Sequence, residues 1–389
     1  MLETLETILQ SEIIAHGGAI SFAQYMEQAL YHPVYGYYTG GKQKIGPRGD
    51  FITAPELGPL FAYGLSRAFA PVLRDHPDYT LLEFGAGHGQ LGFDILRFLD
   101  DANALPHTYA ILEISPDLVQ QQKETLSQLP AHLQHRVHWL TALPPPQTFS
   151  GIILANEVVD AIPVHRFTYQ RATASFFEHC VGFNQQGFCP KLQPASGLLH
   201  TELHKTLKPL LDLPNYPAIY TSEYPLHAGA WMHEISTILQ QGFLCIIDYG
   251  FPQAEYYHPQ RDEGTLMCHY QHTAHTDPLI HLGLQDITTH VNFSHLAAMG
   301  QAAGLQCAAY VSQGHFLIQS GIVDYFSDST YRPREIQSEL MLKQALQKLT
   351  LPHEMGELFK IFIMSRSVSP AIHTQYFHAL QRFDRSNRL

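Results

Sequence analysis

Apolar positions along this chain change their period several times. Residues 81–84 and 108–112 are nearly unbroken apolar runs, as in strands buried on both faces, while Leu91–Leu99 repeat at helical spacing. The same alternation continues through strands at 136–140 and 151–156, a helix at 228–240 and a strand at 243–250. It then predicts a helix over 294–303 stopped by Gly304, a strand over 305–311, helices across 315–350 and a strand at 359–365 before a polar tail. Alternating strands and helices predict an α/β chain built on a doubly wound, mostly parallel sheet. Residues 166–200 break the rhythm: Phe167–Tyr169, Ser175–Val181 and Gly187–Leu192 predict a small antiparallel insertion. The first 30 residues predict two helices separated by His16-Gly17-Gly18, with Ser21 capping the second.

These changes divide the chain into an N-terminal helical and lid region (1–75) and the first part of the core (76–165). An inserted antiparallel element (166–225) follows, then the second part of the core (226–312) with a loop at 250–293. A helical insertion (313–355) and a last strand with its tail (356–389) complete it.

Ligands of open α/β sheets sit outside the carboxyl ends of the strands, so the residues ending each strand are the first candidates. The first strand ends in Glu83 and runs into Gly85-Ala86-Gly87-His88-Gly89. Glycines at alternating positions allow a sharp turn and close approach of a ligand. A dinucleotide fingerprint needs glycine or alanine three residues after the second glycine, and that position is Gln90. Glu83 would repel a pyrophosphate but suits a cationic ligand, so S-adenosylmethionine fits better. The second strand ends in Glu113, placed to accept the ribose hydroxyls of a bound nucleoside, with Ile114 beside it. The fourth strand ends in Asn156-Glu157, followed by Asp160. Expected cofactor contacts are therefore Glu83, Gly85, Ala86, Gly87, Gly89, Glu113, Ile114, Asn156 and Glu157.

The segment after the fourth strand lacks the Asn/Asp-Pro-Pro-Tyr arrangement that holds a planar amide or amine, and offers carboxylates instead. Glu157 and Asp160 suit a cationic nucleophile: paired hydrogen bonds fix a guanidinium in line, and a carboxylate lowers the barrier to its proton loss. The alternative for Asp160 is a first-turn helix charge. After the fifth strand, Asp248-Tyr249 and a loop rich in aromatics and histidines predict a substrate wall containing Tyr270, His272 and His290. His272, His290 or Tyr270 is placed to relay a proton, with His272 as the catalytic candidate, although any one of them alone more often serves as a structural hydrogen-bonding residue. Upstream, four tyrosines between Tyr31 and Tyr38 and a glycine-rich loop lead to Asp50-Phe51-Ile52-Thr53-Ala54-Pro55-Glu56, a predicted lid whose Thr53, Pro55 and Glu56 meet the substrate.

Composition narrows the classes. A formal charge of −12 argues against general nucleic-acid affinity, and no apolar run has the ~18 residues of a membrane span. Twenty-five histidines are scattered without metal-ligand spacing, so no metal is assigned. Five cysteines in a large chain predict reduced thiols, and the amphipathic start carries three glutamates and no basic residue, unlike a presequence. A cytoplasmic setting is expected.

The motifs Asp50–Glu56, Glu83–Gly89, Asn156–Pro163, Gly264-Thr265-Leu266 and Asp286–Val291, in that order, resemble the MidA-like family of class I S-adenosylmethionine-dependent methyltransferases. The resemblance runs from about Tyr31 to Ser365. It implies a Rossmann-like seven-stranded sheet with an antiparallel last strand, a helical N-terminal part and inserted substrate elements. It further implies N-methylation of arginine in a protein partner, such as a respiratory-complex-type subunit, by a bacterial member acting as monomer or homodimer. A small-molecule methyltransferase and a non-catalytic S-adenosylmethionine-binding assembly factor are the alternatives.

Overall fold

The computed structural model describes residues 4–40, 53–331 and 335–389. Two helices, α1 (Leu5–Ala15) and α2 (Phe22–Tyr31), open the chain, each held by a capping box at Thr4 or Ser21. Helix α3 (Leu60–Asp75) leads into the central sheet. Its strands are β1 (Thr80–Phe84), β2 (Thr108–Leu112), β3 (Val137–Leu140), β4 (Phe149–Asn156), β5 (Leu239–Phe251), β6 (Gln306–Ser312) and β7 (Phe359–Arg366). They lie in the order β6-β7-β5-β4-β1-β2-β3, with an eighth two-residue strand, Val291–Asn292, beside the far end of β5. The pairs from β5 through β3 are parallel, and β7 runs antiparallel to both its neighbours.

Side-chain alternation assigns each strand residue to a face. Leu81, Ile152, Cys245 and Ile361 enter one apolar core; Leu82, Ile153, Leu244 and Phe362 enter the other. Helices α3 and α4 (Gln90–Asp101) cover the first face, and α6 (Leu226–Ile238) and α7 (Phe293–Ala302) the second. Helix α5 (Pro116–Leu126) sits beside α4, capped by Ser115.

The insertion has the three expected strands, observed at His165–Gln170, Ser175–Asn184 and Gly187–Pro194, plus a fourth, Ile219–Tyr224, that pairs with the first. The polar tail is instead a helix, Pro370–Gln381, capped by Ser369 and seated through buried Phe377 and Leu380. Only those few apolar positions mark it among histidines and glutamines. The 250–293 segment also differs from a substrate wall. It forms a small antiparallel sheet of Met267–Tyr270, Thr273–His275 and Asp286–Thr288. Leu266, Cys268 and Ile287 turn toward Leu5, Leu9, Tyr25, Met26 and Leu30 to make a third core with the N-terminal helices. Among the described residues, no helix is long and apolar enough to cross a membrane.

Candidate functional site

At the carboxyl ends of β1, β2 and β4 lies a cavity of about 390 Å³, within the range of small-ligand sites. The glycine loop forms one side. Gly85, Gly87 and Gly89 have φ of +60°, +52° and +84°, a left-handed conformation costly for any residue with a Cβ. Gly85, Ala86 and Gly87 line the cavity, whereas Gly89 turns away as the N-cap of α4. A Cβ on Gly89 would lie 3.1 Å from the Cα of Gln122 on α5, so this third glycine serves helix packing.

Glu83, Glu113, Ile114, Asn156 and Glu157 also line the cavity. Burial raises the Glu83 carboxyl to about 7, although the Tyr109 hydroxyl donates to its Oε2 at 2.7 Å. Glu113 is fixed by the Ser115 N–H at 2.9 Å and by the Gln122 amide at 3.1 Å. Phe84, Val158, Leu143, Trp231 and Ile235 form the apolar end, where the Trp231 and Phe84 rings meet edge-on at 5.8 Å.

The segment after β4 is sharply bent. Glu157 adopts φ +52°, rare for a residue with a side chain, and its N–H donates to the Ile247 carbonyl at 2.9 Å. Burial and the neighbouring Asp160 raise its carboxyl to about 8, against hydrogen bonds from Asn156 and the Ala54 N–H. Asp160 does not face the cavity. It lies behind Glu157, receives the Tyr249 hydroxyl on Oδ2 at 2.6 Å, and is raised by burial to about 6. Its Oδ1 and the Oδ1 of Asn156 are buried without a hydrogen-bond partner.

Five expected substrate or relay residues, Asp248, Tyr249, Tyr270, His272 and His290, lie elsewhere. Asp248 is fully buried and accepts the N–H groups of Val159 and Asp160 at 3.1 Å and of Tyr249 at 2.9 Å. It is not at the end of its strand: β5 continues to Phe251, and Asp248 pairs across with Lys360. Tyr249 acts on Asp160 rather than on the cavity. His290 stacks on Phe251 at 5.1 Å, and burial lowers it to about 4, keeping it neutral. Tyr270 stacks on His281 at 4.0 Å. His272 is exposed in the hairpin turn Gln271-His272, where both residues have positive φ, as such two-residue turns require. Neither Tyr270 nor His272 lines the cavity.

The segment expected to form a lid is described only from Thr53 onward. Thr53, Pro55 and Glu56 line the cavity, and Glu56 reaches His88 of the glycine loop at 3.4 Å. Asp50, Phe51 and Ile52, with the loop glycines Gly41, Gly46 and Gly49, lie outside the described residues. The site also contains Tyr31 and Tyr38, which were not expected among its contacts. Their rings stack at 5.5 Å, and their hydroxyls donate to the Ala161 carbonyl and to Asp286 Oδ1, both at 2.9 Å. The cluster of four tyrosines around a Pro/Gly turn was the available signal.

Residues 65–311 match the model of a family of S-adenosyl-L-methionine-dependent methyltransferases. The chain belongs to that family. A Burkholderia thailandensis protein crystallised with S-adenosyl-homocysteine is 40% identical, with a TM-score of 0.89 over 99% of this chain and 96% of its own. The mitochondrial protein arginine methyltransferase NDUFAF7 of Mus musculus is 27% identical, covering 89% of this chain and 81% of the relative. Its Danio rerio counterpart is 29% identical, covering 91% and 85%. The protein is therefore an S-adenosylmethionine-dependent methyltransferase with the expected α/β fold. The cavity's residues are compatible with that cofactor: a glycine turn, a carboxylate held at the second strand and an apolar end line it.

Proposed function

We propose that this methyltransferase modifies a guanidinium nitrogen of arginine in a protein partner. The observation carrying this reading is the buried acid group beside the cavity. Glu157 is on the wall, and Asp160, Asp248 and Asp286 are acids close enough to affect the ionisation of the group. Unpartnered buried acceptors at Asp160 and Asn156 accompany them. Such a group is costly to bury, and a planar cation rich in N–H donors supplies both the charge and the hydrogen bonds. The printed names of the mouse and zebrafish relatives support the same substrate class.

Bound S-adenosylmethionine supplies an electrophilic methyl group. On the chain's side, Gly85, Ala86 and Gly87 admit it, Glu83 takes its amino-acid end, and Glu113 with Ile114 takes the ribose and base. Asn156 and Glu157 face the reacting centre. Glu157, backed by Asp160, orients the guanidinium and accepts the proton lost from the substituted nitrogen. Thr53, Pro55 and Glu56 with Tyr31 and Tyr38 form the surrounding wall. A respiratory-complex-type subunit as partner, a monomer or homodimer as enzyme, and a bacterial cytoplasm as setting extend this proposal. All five cysteines are free thiols, which suits a reducing compartment.

Calorimetry with S-adenosylhomocysteine tests the cofactor roles: Glu113→Ala is expected to weaken binding about tenfold or more, as loss of a charged hydrogen bond would. Incubation with labelled S-adenosylmethionine and lysate tests the substrate. Methylarginine in a labelled protein band is expected; label confined to small metabolites, or none, overturns the reading.

A further inference from the structure

Gln122 belongs to neither the glycine loop nor the second strand, yet it touches both. Helix α5 buries three residues, Leu118, Gln122 and Leu126, one stripe at i, i+4, i+8. A carboxamide in the middle of an apolar stripe, with no exposed surface, must have its hydrogen bonds satisfied within the fold. Its Nε2 donates to the Gly87 carbonyl at 3.0 Å and to Glu113 Oε2 at 3.1 Å, while its Oε1 accepts the Trp139 indole N–H at 2.9 Å. Those neighbours settle the orientation of the amide. Indole nitrogen only donates, and the carbonyl and carboxylate only accept.

We infer that Gln122 is a positioning residue for the cofactor, setting the carboxylate of Glu113 against the glycine loop so that ribose and main chain are presented in register. Two further observations agree. Gly89 packs so near Gln122 that a Cβ built there would lie only 3.1 Å from the Gln122 Cα, and its φ of +84° adds to the cost of a side chain at that position. The second oxygen of Glu113 is held by the Ser115 N–H, so Gln122 completes the restraint on that side chain. Without Gln122 the carboxylate keeps the Ser115 N–H but loses the contact that ties it to the glycine loop. Gln122 touches the residues that hold the cofactor; it does not line the cavity itself.

This inference rests on the reading of Glu113 as the ribose acceptor. The test compares Gln122→Leu and Gln122→Glu with native protein, measuring the affinity of S-adenosylhomocysteine by calorimetry. It also measures the preference for adenosine over 2′,3′-dideoxyadenosine. Gln122→Glu retains shape and the acceptor for Trp139 but opposes Glu113 with a second carboxyl, and carries the test if the leucine variant does not fold. Both variants are expected to weaken S-adenosylhomocysteine by about 10- to 100-fold and to lose most of the preference for the intact ribose. Trp139→Phe, which leaves both cofactor-side contacts, is expected to stay within about threefold of native. Native-like affinity in the Gln122 variants overturns the inference, as does weakening with the ribose preference unchanged, which marks a structural role alone. If Glu113→Ala also leaves the ribose preference intact, the reading of Glu113 fails first.

Discussion

Glu113, Asn156 and Glu157 were readable because each stands at or just beyond the end of its strand, and Glu83 one residue short of it. Asp248 follows the same rule on paper and breaks it in space. Its strand continues to Phe251 through added pairing with Val291 and Asn292, contacts remote in sequence. The consequence is a different role. With three backbone N–H groups on its carboxylate, Asp248 holds the bent segment carrying Glu157 and Asp160. Asp248→Ala would leave these donors unpaired in the interior and is expected to cost about 3 kcal/mol of unfolding free energy in a urea titration. The variant should also lose methyl transfer while retaining most S-adenosylhomocysteine affinity, since the glycine loop and Glu113 do not touch Asp248. Equal loss of both would contradict this division.

At the scale of elements, helices and strands of the central sheet were legible from periodicity, whereas the placement of 250–293 was not. Its aromatics and histidines suggested a ligand wall, but Leu266, Cys268 and Ile287 instead complete the core under α1 and α2. Which apolar face meets which is a tertiary choice that local pattern leaves open. This joint core fixes the root of the Tyr31–Tyr38 wall, whose two hydroxyls reach Ala161 and Asp286. The N-terminal helices and the small sheet are therefore expected to open as one unit. Leu9, fully buried between them, is the place to test it. Leu9→Ala should cost about 2–5 kcal/mol, as core truncations of leucine do. In hydrogen exchange, protection should fall together in residues 22–31 and 266–288, while β1 and β4 keep theirs. Loss confined to the helices would show that the two elements are independent.

For the molecule as a whole, a net charge of −12 gives little hint that several carboxylates are buried together; that emerges only once β4, β5 and the small sheet converge. Glu83 is raised to about 7 and Glu157 to about 8, with Asp248 pushed well above its ordinary value, each chiefly by burial. Between their unfolded and folded values the native state holds protons that the unfolded chain releases, so stability falls as pH rises through that window. Buried histidines act in the opposite sense below about 6.5, since His179 and His290, both lowered to about 4, take up protons only on unfolding. The two effects oppose each other in mild acid and separate above it. From pH 6.5 to 8 the carboxyls act with little opposition, and the ligand-free protein is expected to lose stability steadily. Glu157→Gln removes the group titrating highest among those with a stated value, and should flatten the upper part of that decline. Urea midpoints at pH 6.5, 7.25 and 8 measure both. A native profile that rises across this interval would mean that the acids beside the cavity are ionised without penalty, and the case for a cationic guest would lose its physical basis.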